Sequence, residues 1–233
     1  MLLLAFETSA KAASVALFDG EILLGESYQN TGLTHSQTLL VMAQELLSQC
    51  GKTPADVQAV AVANGPGSFT GVRIGVAAAK GFAWGSDIPC YGVSTLEAMA
   101  LGLGTYDGIV CPVMDARRSQ VYNALFDARP SGLVRTAPDR AISLAELGEE
   151  LKNAKKPIFL VGDGSKLCYD TLKDTVPGLV LPPQHRMHQR ALGVGLAALR
   201  KIAAGESGDG NALAPNYLRL SQAERERLER ENK

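Results

Sequence analysis

Apolar residues along this chain come in short runs, broken by glycine, proline and small polar residues, and the runs alternate between a strand-like and a helix-like period. LLLAFET (2–8) and ASVALFD (13–19) predict two strands joined by a short polar turn. GEILLGESYQ (20–29) predicts a third, entered through Asp19-Gly20, a strong hairpin signal. Over 34–51, Leu39, Leu40, Ala43, Leu46 and Leu47 keep the spacing of one helix face. Thr34 or Ser36 can cap that helix at its start, and Gly51 suits a left-handed stop. VQAVAVA (57–63) is a near-continuous apolar run, the mark of a strand buried on both faces. A helix from about Thr70 to Trp84, a strand at 88–93 and a helix at 94–103 follow. A hairpin, then alternating strand and helix, predicts an α/β layer with a parallel portion.

The second half restarts near Gly108 and repeats the first. IVCPVMDARRSQVYNALFDA (109–128) is again strand, turn, strand. Glu7 precedes an ALFD tetrapeptide by nine residues, and Asp115 precedes a second ALFD by nine. Equal spacing in the same strand-turn-strand setting indicates a duplicated half. Residues 129–156, with Pro130 and Pro138, read as irregular before a helix at about 143–154. KPIFLVGDGS (156–165) is a strand running into a Gly-Asp-Gly turn, and 191–205 is a helix of small residues. APNYLRL (214–220) is extended, and 221–233 is a charged tail, read as a solvated helix or a docking segment. The expected organisation is a lobe over 1–105, a second over 106–220 whose last helix can pack back on the first, and the tail over 221–233.

Composition narrows the class. The 233 residues are 46% hydrophobic and 20% charged with a net charge of −1, ordinary for a globular chain and without the basic surplus of a protein that grips nucleic acid alone. The four cysteines (Cys50, Cys90, Cys111, Cys168) form no CxxC pair, which argues against a disulfide framework or a structural zinc. MLLLAFETS reads as a strand rather than a signal peptide, and no apolar stretch reaches the roughly 18 residues of a membrane span, so the expected location is the cytoplasm.

The stretch GPGSFTGVRIG (65–75) is the strongest candidate for chemistry. It is not a Walker loop, since no lysine falls in place, and Thr70 stands where a dinucleotide fingerprint needs its third glycine. Strand, glycine turn and helix start still aim backbone N–H groups at a positive terminus, so capping by Ser68 or Thr70 and contact with a phosphate both stay open. Gly71, Gly75 and Ala79, four apart, form a smooth helix stripe that lets another element approach closely, while Arg73 lies off it. There is no GxSxG elbow and no HExxH. His35 is a polar residue in a first helical turn, and His185 and His188 have a loose HxxH spacing without carboxylate or cysteine ligands beside them. Glu7 and Asp115, each at a strand's carboxyl end, suit either turn capping or a metal-bound phosphate.

GPGSFTGVRIG, FETSAKAASVALFD, MDARRSQVYNALF (114–126), GVSTLEAMA (92–100) and APNYLR (214–219) together resemble the TsaB (YeaZ) family, colinearly over nearly the whole chain. The resemblance implies an actin/Hsp70/sugar-kinase-like (ASKHA) fold of two duplicated lobes. It implies a non-catalytic scaffold or activator, with no catalytic or metal-binding residues of its own, in making threonylcarbamoyladenosine at position 37 of tRNA. The implied partners are a TsaD-type paralogue and a TsaE-type ATPase, with a homodimer when the chain is alone, tRNA met only through the complex, and no membrane. The superfamily's first hairpin carries an Asp and glycines around nucleotide phosphates. Here the turn is Glu7-Thr8-Ser9-Ala10-Lys11, which leaves Glu7, Thr8 and Asp115 as weak nucleotide candidates and places ATP or ADP with magnesium, if anywhere, at the interface of the complex. TsaD has an HxxxH pair where this sequence has Thr95 and Met99, poor ligands for a hard metal. A stand-alone ATP-dependent phosphotransferase of the same fold is the alternative, and a peptidase lacks any supporting motif. The implied partner interface is His35, Leu39, Met42, Leu46, Gly65, Gly67, Ser68, Phe69, Thr70, Gly71, Arg73, Gly75 and Ala79. On that reading, Gly75→Leu weakens assembly and leaves the fold intact.

Overall fold

Strands β1 (Leu2–Glu7) and β2 (Ala13–Asp19) pair antiparallel with Leu4 opposite Leu17. Both are apolar at nearly every position because both faces of their sheet are covered. The computed structural model describes residues 1–104, 107–130 and 132–219. Strand β3 (Ile22–Gln29) closes one edge, and β4 (Ala59–Gly65) and β5 (Cys90–Ser94) run parallel on the other side, giving the order β3-β2-β1-β4-β5. Helices α1 (His35–Gln49) and α2 (Phe69–Ser86) cover one face of this sheet around Leu4, Phe6, Val15 and Leu17. The other face, around Leu3, Ala16 and Phe18, is covered by α3 (Thr95–Leu103) and by α6 (Ala191–Ala203), which returns from the far end of the chain.

The second sheet repeats the plan. Strands β6 (Gly108–Asp115), β7 (Gln120–Arg129), β8 (Gly132–Ser143), β9 (Ile158–Val161) and β10 (Leu179–Val180) lie in the order β10-β9-β6-β7-β8. Helices α4 (Leu144–Leu151) and α5 (Ser165–Leu172) bury one face. On the other face Leu96, Met99 and Leu103 of α3 pack on Val110, Met114 and Phe126, so α3 is the wedge shared by the two lobes.

Three expectations change. Residues 132–143 form a strand rather than an irregular segment, and the helix after them is shorter, starting from a Ser143–Glu146 capping box. Pro138 is tolerated because β8 is the sheet edge and the ladder is irregular where it sits, between the pairs Leu125–Ala137 and Asn123–Arg140. Thr34 takes the cap position of α1 without a side-chain cap bond, and Ser36 lies inside the helix. Gly51 does stop α1, at φ +65°. The tail 221–233 lies outside the described residues.

The return of α6 to the first lobe is enforced by one buried carboxylate. Glu26 of β3 accepts from the Leu192 amide at 3.0 Å and from Arg190 Nη2 at 2.7 Å, and the hydroxyl of Ser14 accepts from the Ala191 amide. These bonds satisfy the free N–H groups of the helix start and place a negative charge at its positive end.

Candidate functional site

The two hairpin turns, one from each lobe, line a common cleft of about 550 Å³. Ser9, Ala10 and Lys11 come from the first turn, Asp115, Ala116 and Arg117 from the second, and the start of α2 supplies Ser68, Phe69 and Thr70. Ser68 caps α2 by accepting from the Gly71 amide at 3.2 Å. In the second turn Asp115 Oδ1 accepts the Arg117 amide at 2.7 Å. Arg117, Arg118 and Ser119 all have left-handed backbones, at φ 62°, 55° and 55°. Each costs roughly 1–2 kcal/mol for a residue with a side chain. The turn is held by Ala116 N donating to Gln120 O and by Arg219 Nη1 donating to Ala116 O at 2.6 Å.

Arg219 lies on a strap, residues 214–219, stitched beside the cleft mouth. Asn216 N donates to Asn64 O at 2.6 Å, and Asn64 Nδ2 donates to Ala214 O at 3.0 Å. Tyr217 stacks on Phe69 at 4.7 Å and its hydroxyl accepts from Arg73 Nε at 2.8 Å. The guanidinium of Arg73 lies over Phe69 at 3.9 Å. Gly65, at φ +125°, leaves room for the Asn216 carbonyl where any side chain would overlap it.

Two carboxyls sit at the base of this junction. Glu7 is fully buried: its Oε1 accepts the Ser9 amide at 2.5 Å and its Oε2 has no hydrogen-bond partner among the described residues. Burial pushes its pKa up to about 7 against the lowering influence of Ser9, with Asp163 adding a further rise. Asp163, in the Gly-Asp-Gly turn after β9, is exposed on the cleft wall, and partial desolvation by the neighbouring protein raises its pKa too. Its Oδ1 accepts from Gln189 Nε2 at 3.2 Å.

Of the expected nucleotide candidates, only Asp115 lines the cleft. Glu7 is sealed beneath the first turn, and the Thr8 hydroxyl is buried, donating to Gly71 O at 2.8 Å. A magnesium-bound phosphate needs an open carboxylate at the end of β1 and close backbone approach at the turn. A sealed Glu7 and a turn of Ser9, Ala10 and Lys11 offer neither, so these residues do not fit such a group.

The expected partner interface divides. Leu39, Met42 and Leu46 point into the core, none more than 6% exposed. His35 is half-buried, with Nε2 bonded to Ala10 O at 2.8 Å. The stripe of Gly71, Gly75 and Ala79 is buried as well. A side chain at Gly71 would overlap the Thr8 carbonyl, one at Gly75 the Thr8 hydroxyl, and one at Gly67 the Ser9 carbonyl. The close approach that these glycines permit is therefore to the chain's own β1–β2 turn. Ser68, Thr70 and Arg73 are exposed, at the cleft mouth with half-buried Phe69. Thr95 and Met99 are buried in the core around α3, Met99 against Gly162 of the second lobe. Asp163, Tyr217 and Arg219 were not expected at the site. The Gly-Asp-Gly signal read only as a turn, and an extended segment carries no periodicity that says what it crosses.

A duplicated sheet and hairpin in each lobe, with a cleft between the two turns, define the actin/Hsp70/sugar-kinase-like fold. Component A of (R)-2-hydroxyglutaryl-CoA dehydratase from Acidaminococcus fermentans shares it at a TM-score of 0.50 and 12% identity, over 87% of this chain and 99% of that one. The family model of TsaD, tRNA N6-adenosine threonylcarbamoyltransferase, matches residues 29–227. Within that class the chain belongs to the TsaB (YeaZ) family. It is 35% identical to the tRNA threonylcarbamoyladenosine biosynthesis protein TsaB of Bacillus subtilis, over 98% of this chain and 99% of the relative. It is 33% identical to the protein of the same name in Escherichia coli, over 96% of each. The solved YeaZ of Pseudomonas aeruginosa superimposes with a TM-score of 0.77 at 26% identity, over 93% of this chain and 99% of that one.

Proposed function

We propose that this chain is a non-catalytic subunit in threonylcarbamoyladenosine synthesis on tRNA, and that the outer face of α1 and α2 docks a TsaD-type paralogue. The names of its relatives support the pathway. The observation that carries the docking face is a second pair of glycines. Gly81 and Gly85 lie inside α2, exposed, with nothing within 4 Å of where a side chain would begin. Glycine in a helix interior costs about 1 kcal/mol relative to alanine, and no contact among the described residues explains it here. One turn apart, the two lie on a face that continues through Ala77 and is flanked by Trp84, which is 89% exposed. Leu40 and Val41 of neighbouring α1 are exposed as well. Such a face suits a close helix-to-helix approach from outside. A TsaE-type ATPase then joins the pair, and the same face pairs two copies when the paralogue is absent. The buried Thr95 and Met99, in place of a histidine pair, support a role without metal chemistry.

The test is gel filtration with light scattering of the chain, alone and mixed with the TsaD-type paralogue of its organism. A one-to-one complex is expected, lost in Gly81→Leu and Gly85→Leu variants that keep the parent's circular dichroism. No association under any condition would sink the reading, and ATP hydrolysis by the isolated chain would favour the phosphotransferase.

A further inference from the structure

Several cations away from the cleft are paired, Arg129, Arg135, Arg140, Lys156 and Arg190 each meeting a carboxylate within 3.3 Å. Around the cleft mouth a group of cations lacks such partners. Lys11 and Arg117 are exposed, line the cleft from opposite lobes, and have no side-chain partner among the described residues. Arg73 and Arg219 donate only to a phenol oxygen and to backbone carbonyls, so their charges are not neutralised by an acid among the described residues. Lys11, Arg117 and Arg219 thus line one opening without an ion pair among the described residues, and Arg73 adds a fourth positive charge beside it through Phe69 and Tyr217. Arg117 is presented from the left-handed turn, a costly backbone that Arg219 holds in place. Between the cations lies the stacked pair Phe69 and Tyr217, with Tyr217 39% exposed.

Arginine and lysine beside a partly exposed tyrosine is chemistry that binds single-stranded nucleic acid, with phosphates on the cations and a base against the Tyr217 ring. Asp115 and Asp163 inside the cleft repel phosphate, which favours a strand lying across the rim over a phosphate in the floor. We propose that the cleft mouth, through Lys11, Arg73, Arg117 and Arg219 with Tyr217, is the surface on which this subunit meets a single-stranded segment of its tRNA. This rests on the pathway reading above and gives the subunit a direct hold on the RNA.

The test titrates a fluorescently labelled, unmodified tRNA transcript with the full chain, alone and mixed with the TsaD-type paralogue, at several salt concentrations. Lys11→Gln combined with Arg117→Asn, the latter tolerant of a left-handed backbone, is compared with the parent and with Lys166→Gln on α5, remote from the cleft. The rim variant should bind at least about tenfold more weakly at ~0.1 M salt, with the slope of log affinity against log salt reduced by one to two. The Lys166 variant should match the parent. Unchanged affinity and slope in the rim variant would overturn the inference, as would a parent that binds no tRNA in either form. Displacement of the tRNA by millimolar magnesium–ADP, with the rim variant losing ADP binding alone, would also overturn it, the cations then serving a free nucleotide. Gel filtration of the same mixtures reads pairing separately, so a failure to pair counts against the proposed function and unchanged RNA binding against this inference.

Discussion

The hydroxyl of Thr8 donates to the carbonyl oxygen of Gly71 at 2.8 Å, laying the turn after β1 against the first turn of α2. Gly75, one turn further on, faces the same Thr8 side chain and Val62. The turn that borders the cleft and the helix that carries the proposed docking face are therefore one packed unit.

Gly75→Leu should consequently fail as a folded protein rather than as a binding partner. Its side chain would have to displace Thr8 and Val62 from a closed core, which costs several kcal/mol. Even Gly75→Ala should lower the melting temperature by several degrees, at about 2–4 °C per kcal/mol for a chain of this size. Thermal unfolding followed by circular dichroism decides it, and a variant that melts with the parent would refute the assignment of this stripe to the interior.

Gly81→Ala should do the opposite. No atom obstructs the added methyl group, and the helix gains about 0.5–1 kcal/mol of propensity. The isolated chain should melt about 1–4 °C higher. The same variant should pair less well with the paralogue, since the methyl group holds two helices apart. A lower melting temperature would mean that Gly81 has an internal packing role.

Glu7 makes stability depend on pH. Its carboxyl titrates at 4.5 when unfolded and at about 7 when folded. A raised acid pKa contributes fully below 4.5, and that contribution is lost as pH rises through 7, where the buried group must become charged. The shift corresponds to about 3 kcal/mol. Glu7→Gln should therefore be within about 1 kcal/mol of the parent near pH 5 and about 3 kcal/mol more stable near pH 8.5. Urea unfolding at the two pH values measures this, and a difference that does not change with pH would rule out ionisation of Glu7 as its origin.

Glu26→Ala should cost about 3 kcal/mol, because it strips the start of α6 of its acceptor and leaves Arg190 without its acid. The loss should appear in urea unfolding of the whole chain. A cost below 1 kcal/mol would mean that water replaces the carboxylate without penalty.

Much of this architecture was legible because it is written as periodicity. The two ALFD strands and the doubly buried run before the glycine turn follow from spacing alone, as does the inner face of α1, except that Leu40 is exposed and Met42 takes its place in the core. Strand β8 was hidden by Pro130 and Pro138, since a proline excludes a central strand but not an edge, and a single sequence does not say which strand is the edge. The glycines show the harder limit. Spacing identified the stripe of Gly71, Gly75 and Ala79 as a place of close approach, but only the fold shows that Thr8 fills it, and that Gly81 and Gly85 are the pair left open. Asp163, Tyr217 and Arg219 reach the cleft through tertiary connections with no local signature.

The return of α6 also sets the order in which the protein can be made. Phe18 and its neighbours on one face of the first sheet find their cover in residues 191–203, so they stay bare while nearly two hundred residues are being synthesised. The second sheet, whose strands and covering helices α4 and α5 all lie within residues 108–180, emerges with most of its packing at hand. A ribosome-bound chain stalled before Ala191 would therefore carry an open apolar surface at its oldest end, the kind that chaperones hold during translation.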